Sequence, residues 1–159
     1  NLRLRCPELW EFELITEFGQ WSYFFSGYAI SKIEYSIQKG DKYITYIHIG
    51  ADFLLRDSYV KPRGIAFGIT DSSFQWKTTK KVSHDIAGPL CFAGDYLAKN
   101  VLLPQAEETD IMILAGTGSN SYGLWSRHCS RAIPLFLAVD YERKKVEKLS
   151  PRLEAFQNF

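Results

Sequence analysis

A chain of 159 residues and 18.3 kDa is long enough for one domain with a core of its own. Its 46% apolar content, with 11 Phe, 9 Tyr and 4 Trp, argues against a disordered tail. A balance of 19 basic against 18 acidic residues, net charge +1, argues against nucleic acid or an anionic membrane surface as partner.

In chain order, Asn1 to Arg5 leads into Cys6-Pro7 without the apolar stretch of a signal peptide, and a start without methionine points to processing or, as the favoured reading, to truncation of a longer chain. Trp10–Ile15 reads as a short strand. Tyr28–Ile37 and Asp41–Ile49 alternate apolar and polar positions, with Gln38-Lys39-Gly40 as the hairpin connection between them. Further strands are expected at Ile65–Thr70, Phe74–Asp85, Asp110–Ala115, Pro134–Tyr141 and Lys145–Leu149. Short helices are expected at Tyr96–Asn100 and Pro151–Asn158. Six to eight strands punctuated by Gly and Pro predict an all-β barrel or sandwich. Lys77, Lys80, Lys81, Lys144 and Lys145 read as solvated faces. No apolar run approaches the ~20 residues of a membrane helix.

Several stretches carry possible chemistry. Gly116-Thr117-Gly118-Ser119-Asn120-Ser121-Tyr122-Gly123 offers backbone N–H groups to a phosphate, but it lacks a P-loop lysine and also reads as a plain loop. His48, His84 and His128 are scattered, which favours satisfied histidines over a metal cluster. Cys6, Cys91 and Cys129 form no Cys-x-x-Cys pair, so no metal site is predicted. Free thiols suit the cytoplasm or an organelle matrix. Ser83-His84-Asp85 cannot form a relay, because neighbours on a strand point to opposite faces. In Gly88-Pro89-Leu90-Cys91-Phe92-Ala93-Gly94-Asp95 the turn presents Cys91, either as packing or as a reactive thiol.

The order of Glu17-Phe18-Gly19-Gln20, Gly27 to Ile33, Gly50 to Arg56, Gly88-Pro89-Leu90-Cys91 with Gly94-Asp95, and Ser121-Tyr122-Gly123 resembles the C-terminal half of the fold type III pyridoxal-phosphate decarboxylases, the diaminopimelate, ornithine and arginine decarboxylase family. The resemblance spans roughly residues 7 to 158. It implies a Greek-key β-barrel or sandwich over 21–159, like the C-terminal domain of alanine-racemase-type enzymes. Residues 1–20 would then be the end of a (β/α)₈ barrel and a cofactor loop, with the lysine that carries the cofactor in the barrel, outside these residues. It also implies pyridoxal 5′-phosphate, an amino-acid substrate and a homodimer formed through the β domain and the barrel.

Residue by residue, the resemblance makes Glu17 the carboxylate facing the pyridine nitrogen, lets Gly19 approach the phosphate, and puts Gln20 where the family has an arginine. Tyr122 becomes the tyrosine beside the phosphate, with Asn120 as a competing alignment. Cys91 matches the cysteine that crosses the dimer interface to protonate the substrate's α-carbon. Arg56, Tyr59, Phe92 and Asp95 fall at substrate-binding positions, and Asp95 equally suits a role in holding the loop or the partner subunit. Phe92 replaces the acid that meets a distal ammonium, so the substrate is expected to differ from diaminopimelate and ornithine. The alternatives are a decayed relative acting as a dimerisation or interaction domain, and an unrelated β-barrel binding module using Trp21, Tyr23, Phe24 and Phe25.

Overall fold

A computed structural model describes residues 2–13, 15–60, 63–91 and 93–150, without the side chains of residues 2 and 3. Phe92 and the helix expected at Pro151–Asn158 lie outside the described residues.

Eight strands dominate the described residues: β1 (Tyr28–Lys39), β2 (Lys42–Ile47), β3 (Ala66–Thr70), β4 (Lys81–Ala87), β5 (Tyr96–Pro104), β6 (Ile111–Ala115), β7 (Phe136–Asp140) and β8 (Lys145–Ser150). The first six form one sheet in the order β3-β6-β1-β2-β4-β5, antiparallel except for the parallel pair β2/β4, and β7/β8 is a separate hairpin. The large sheet curls until its edge strands β3 and β5 meet, giving a nearly closed barrel. Among the described residues there are also short 3₁₀ turns and three α-helices of five residues or fewer: α1 (Leu2–Arg5), α2 (Gly19–Tyr23) and α3 (Leu55–Tyr59). The expected all-β, barrel-like class is the one observed.

Strand periodicity builds the interior. On β1, Ser31 and Ile33 point inward between outward-facing residues, and a shift in register follows Ile33. Ile33, Leu54, Ile69, Ile86, Met112 and Leu114 are fully buried in one cluster with Ile47, Phe53, Leu97 and Leu103. Each such side chain contributes about 1.5–3 kcal/mol on leaving water. The β1–β2 connection is shorter than expected: Lys39 pairs with Lys42, and Gly40, at φ +67°, takes the first place of the two-residue turn, where a type II′ hairpin calls for glycine.

Four expectations need correction. Tyr96–Asn100 is the start of β5, because pairing with β4 and burial of Leu97 override a weak helical pattern. The described residues of Trp10–Ile15 form no strand; Pro7–Glu11 is a 3₁₀ turn begun by its proline, and no strand pairs with it among the described residues. The strand expected from Phe74 starts at Lys81, since Phe74 adopts φ +61° in a turn and only Trp76 bridges back, to Thr70. Lys77 is 13% exposed and bonds to Glu107 and Asp110, both at 2.8 Å, so it is not a solvated face.

Candidate functional site

The first candidate region lies where α2 meets the glycine-rich loop. The N–H groups of Gly116 and Thr117 bond to the Gly27 carbonyl, and that of Gly118 bonds to the Phe24 carbonyl. These three donors are spent on the fold and cannot cradle a phosphate. A Cβ at Gly118 would stand 2.0 Å from the Tyr23 carbonyl oxygen, so glycine is required for this close approach. The continuation, Ser119 to Tyr122, is tied to Gln20: Ser119 Oγ donates to the Gln20 carbonyl and Asn120 Nδ2 donates to Gln20 Oε1, both at 3.1 Å. Glu17, Gly19, Gln20, Asn120 and Tyr122 are all exposed along this edge. Tyr122 stacks edge-on against Phe136, with its ring centroid 4.5 Å away.

Arg63, which the sequence did not single out, fixes that loop from beneath. Its guanidinium grips Asp57 of α3 (Nη2–Oδ2 2.6 Å, side chains 3% and 2% exposed) and donates to the Ser119 carbonyl and to Ser121 Oγ. A guanidinium side chain buried and bonded on all three nitrogens in this way is architecture. No local pattern marks the pair, since it forms only once α3 packs under the loop.

The second region surrounds Cys91. Asp95, 3% exposed, accepts the N–H groups of Ala51 and Leu90, both at 2.7 Å. Cβ atoms at Gly50 and Gly88 would come within 2.7 and 2.3 Å of its carboxylate, so both glycines make room for it. Burial pushes the Asp95 carboxyl up, partly offset by those two N–H groups. Asp95 thus clamps the 88–95 turn to the 50–51 loop. Cys91 is exposed at the tip of this turn, with its Sγ 3.4 Å from Cys129 Sγ. That neighbour pushes the Cys91 pKa up from its ordinary value. A third loop joins them: Asp52 pairs with Arg131 (2.8 Å), which also donates to the His48 carbonyl.

Helix α3 stands between the two regions. Arg56 and Tyr59 both lie on it; Arg56 Nε is buried with no hydrogen-bond partner among the described residues, and Tyr59 is exposed. A hollow of about 30 Å³, lined by Ala51, Asp52, Leu55, Tyr59, Leu90, Ser126 and His128, separates Tyr59 from the Cys91 loop. It has room for a water or two, far below the ~300 Å³ or more of a ligand pocket.

His84 and Asp85 have other partners: His84 Nδ1 meets Thr45 Oγ1 at 2.8 Å, and Asp85 binds Lys42 and the Asn100 N–H. His128 is not scattered as expected; its ring lies with Cys91 and Cys129. Phe24 is buried and fills the space at Gly116, whereas Trp21, Tyr23 and Phe25 are exposed.

Comparison with known proteins agrees with this geometry. The family model described as "Pyridoxal-dependent decarboxylase, C-terminal sheet domain" matches residues 23–118. The chain is 24% identical over 106 residues to the diaminopimelate decarboxylase of Aquifex aeolicus, covering 67% of this chain and 24% of that protein. It is 44% identical over 55 residues to that of Synechocystis, covering 35% of this chain and 12% of the relative. A crystal structure of diaminopimelate decarboxylase superposes with a TM-score of 0.77 at 18% identity, covering 86% of this chain and 34% of that one. The Helicobacter pylori enzyme complexed with L-lysine gives 0.70 at 22%, covering 86% and 32%. At such identities the superpositions speak for the fold. The chain spans about a third of these solved structures and a quarter or less of the curated relatives. An unrelated binding module is thereby overturned: with over half of its residues matched and the same barrel-like sheet, this chain belongs to the C-terminal sheet domains of the pyridoxal-dependent decarboxylases.

Proposed function

We propose that the chain is the β domain of a homodimeric, pyridoxal-phosphate-dependent amino-acid decarboxylase, working with a (β/α)₈ barrel that brings the cofactor-bearing lysine. Residues 1–20 are then the junction with the barrel, and residues 21–159 the domain proper. The observation that supports this most is the Cys91 thiol, exposed on a turn clamped by buried Asp95. Three unpaired thiols suit the cytoplasm or an organelle matrix.

The exposed groups on the α2 edge fit one side of the cofactor. Glu17 supplies a carboxylate for the ring nitrogen, Gly19 has nothing within 4 Å of where a Cβ would stand, and Tyr122 is an exposed hydroxyl donor. Gln20 Oε1 is occupied by Asn120, which leaves the Gln20 amide hydrogens as donors towards a phosphate. Gln20 carries no charge, so its contact is about half as strong as a charge-assisted one. When bound, pyridoxal phosphate supplies the electron sink for the carbanion left by CO₂ loss.

Cys91 of one subunit donates its proton to the substrate α-carbon in the partner's site. Arg56, whose buried Nε has no partner among the described residues, and Tyr59 serve the substrate's polar groups. Phe92 offers no partner to a distal ammonium, whose unpaired burial costs several kcal/mol, so the preferred amino acid carries an apolar or uncharged distal end. The test is CO₂ release from a panel of α-amino acids by the barrel-bearing protein loaded with cofactor. At least one substrate is expected to turn over, and Cys91→Ala should slow it by roughly 10²–10⁴-fold while cofactor absorbance is retained. Bound cofactor without CO₂ from any substrate would instead mark a decayed relative.

A further inference from the structure

Two sulfurs and a ring nitrogen converge at the tip of the Cys91 loop. The ligand atoms of Cys91, His128 and Cys129 lie within 4.8 Å of one another, and all three residues are exposed. Sequence spacing hides the set, because Cys91 and Cys129 come from different loops and meet only in the fold. Around a tetrahedral Zn²⁺ with Zn–S distances of ~2.3 Å, two sulfurs stand about 3.8 Å apart. The observed 3.4 Å differs by a few tenths of an ångström. A disulfide would instead draw the sulfurs in to ~2.05 Å.

The backbone supports the cluster at a local cost. Cys129 and Ser130 are consecutive non-glycine residues in the left-handed region, at φ +57° and +52°. Such conformations persist where the surroundings impose them. Here Arg131, held by Asp52 and the His48 carbonyl, pins the chain immediately after the turn.

We propose that Cys91, His128 and Cys129 form a three-ligand site for Zn²⁺, with the fourth position open to water. Loading releases one proton from each thiol to solvent, the two thiolates neutralise the dication, and the imidazole binds through a neutral nitrogen. The site goes beyond the decarboxylase reading and does not depend on it. If both hold, they exclude one another in time, because a metal-bound Cys91 has no proton to donate.

Co²⁺, a spectroscopic stand-in for Zn²⁺, is titrated into the full chain kept reduced with a phosphine. One equivalent should produce a sulfur-to-cobalt charge-transfer band with tetrahedral visible absorption, both abolished by one equivalent of Zn²⁺. Cys91→Ser and Cys129→Ser each remove a direct ligand and should weaken Zn²⁺ binding by about 10²-fold or more, beyond the effect of losing an outer-shell partner. His128→Ala should weaken it without abolishing the charge-transfer band, and Cys6→Ser should change nothing. All four residues are exposed, so the variants should keep the wild-type circular dichroism. Absence of the band at one equivalent of Co²⁺, or an equal band in Cys129→Ser, would overturn the site. Neither result depends on decarboxylase activity, so the two readings fail separately.

Discussion

At the scale of single residues, Asp95 decides how Cys91 is presented. Asp95→Asn puts an amide donor against one of the two N–H groups its carboxylate accepts, and should lower stability by about 2–3 kcal/mol in urea unfolding. A midpoint unchanged from the parent would mean that the turn holds its shape without the clamp. The letters drew attention to this aspartate, yet its partners Ala51 and Leu90 come from two loops, and only the fold unites them. His84 makes a second case. Its ring is fully buried between Thr45 and Tyr43, and burial lowers its pKa below the usual 6.5, outweighing the Pro104 carbonyl beside it. The unfolded chain therefore takes up a proton near pH 6.5 that the native state refuses, so stability is fully present above that pH and is lost as pH falls towards the depressed value. Urea midpoints measured on either side of pH 6.5 should fall on the acid side, and His84→Gln should flatten the fall; an equal slope in the variant would assign it to other groups.

At the scale of elements, the glycine loop and α2 form one unit. Gly118→Ala would drive a Cβ into the Tyr23 carbonyl and should destabilise the domain by about 1–3 kcal/mol. Gly19→Ala meets open space and should leave the melting temperature of this chain unchanged. If Gly19 borders the cofactor as proposed, the same change should weaken pyridoxal-phosphate affinity in the barrel-bearing protein; unchanged affinity would remove Gly19 from the site. The strands were legible where apolar and polar residues alternated, as in β1 and β2, and β6 was legible as a short unbroken apolar run. Tyr96–Asn100 misled because five residues carry little periodicity of either kind, and β5 is defined by its ladder to β4. The glycine run was visible as a run, but its use against the Phe24 and Gly27 carbonyls depends on a contact some ninety residues distant in sequence.

At the scale of the whole molecule, Trp21, Tyr23, Phe25, Tyr28 and Ile30 are all more than half exposed in one stretch of chain beside the α2 edge. Such a concentration suits coverage by another body, and the barrel of the proposed enzyme is the body that would adjoin it. The hollow beside Tyr59 is likewise far too small to bind an amino acid, as expected of a site completed by other walls. Family membership was legible from the order of several weak motifs, whereas the gathering of Cys91, His128 and Cys129 was not, because no two of their loops share a local signal. The central claim, that this sheet domain works joined to a barrel, is tested most directly by the mass of the native polypeptide in its source cells, detected with an antibody against the domain. An added ~250-residue barrel predicts a species of roughly 45 kDa or more. A species of 18.3 kDa would contradict the claim and leave a stand-alone interaction domain.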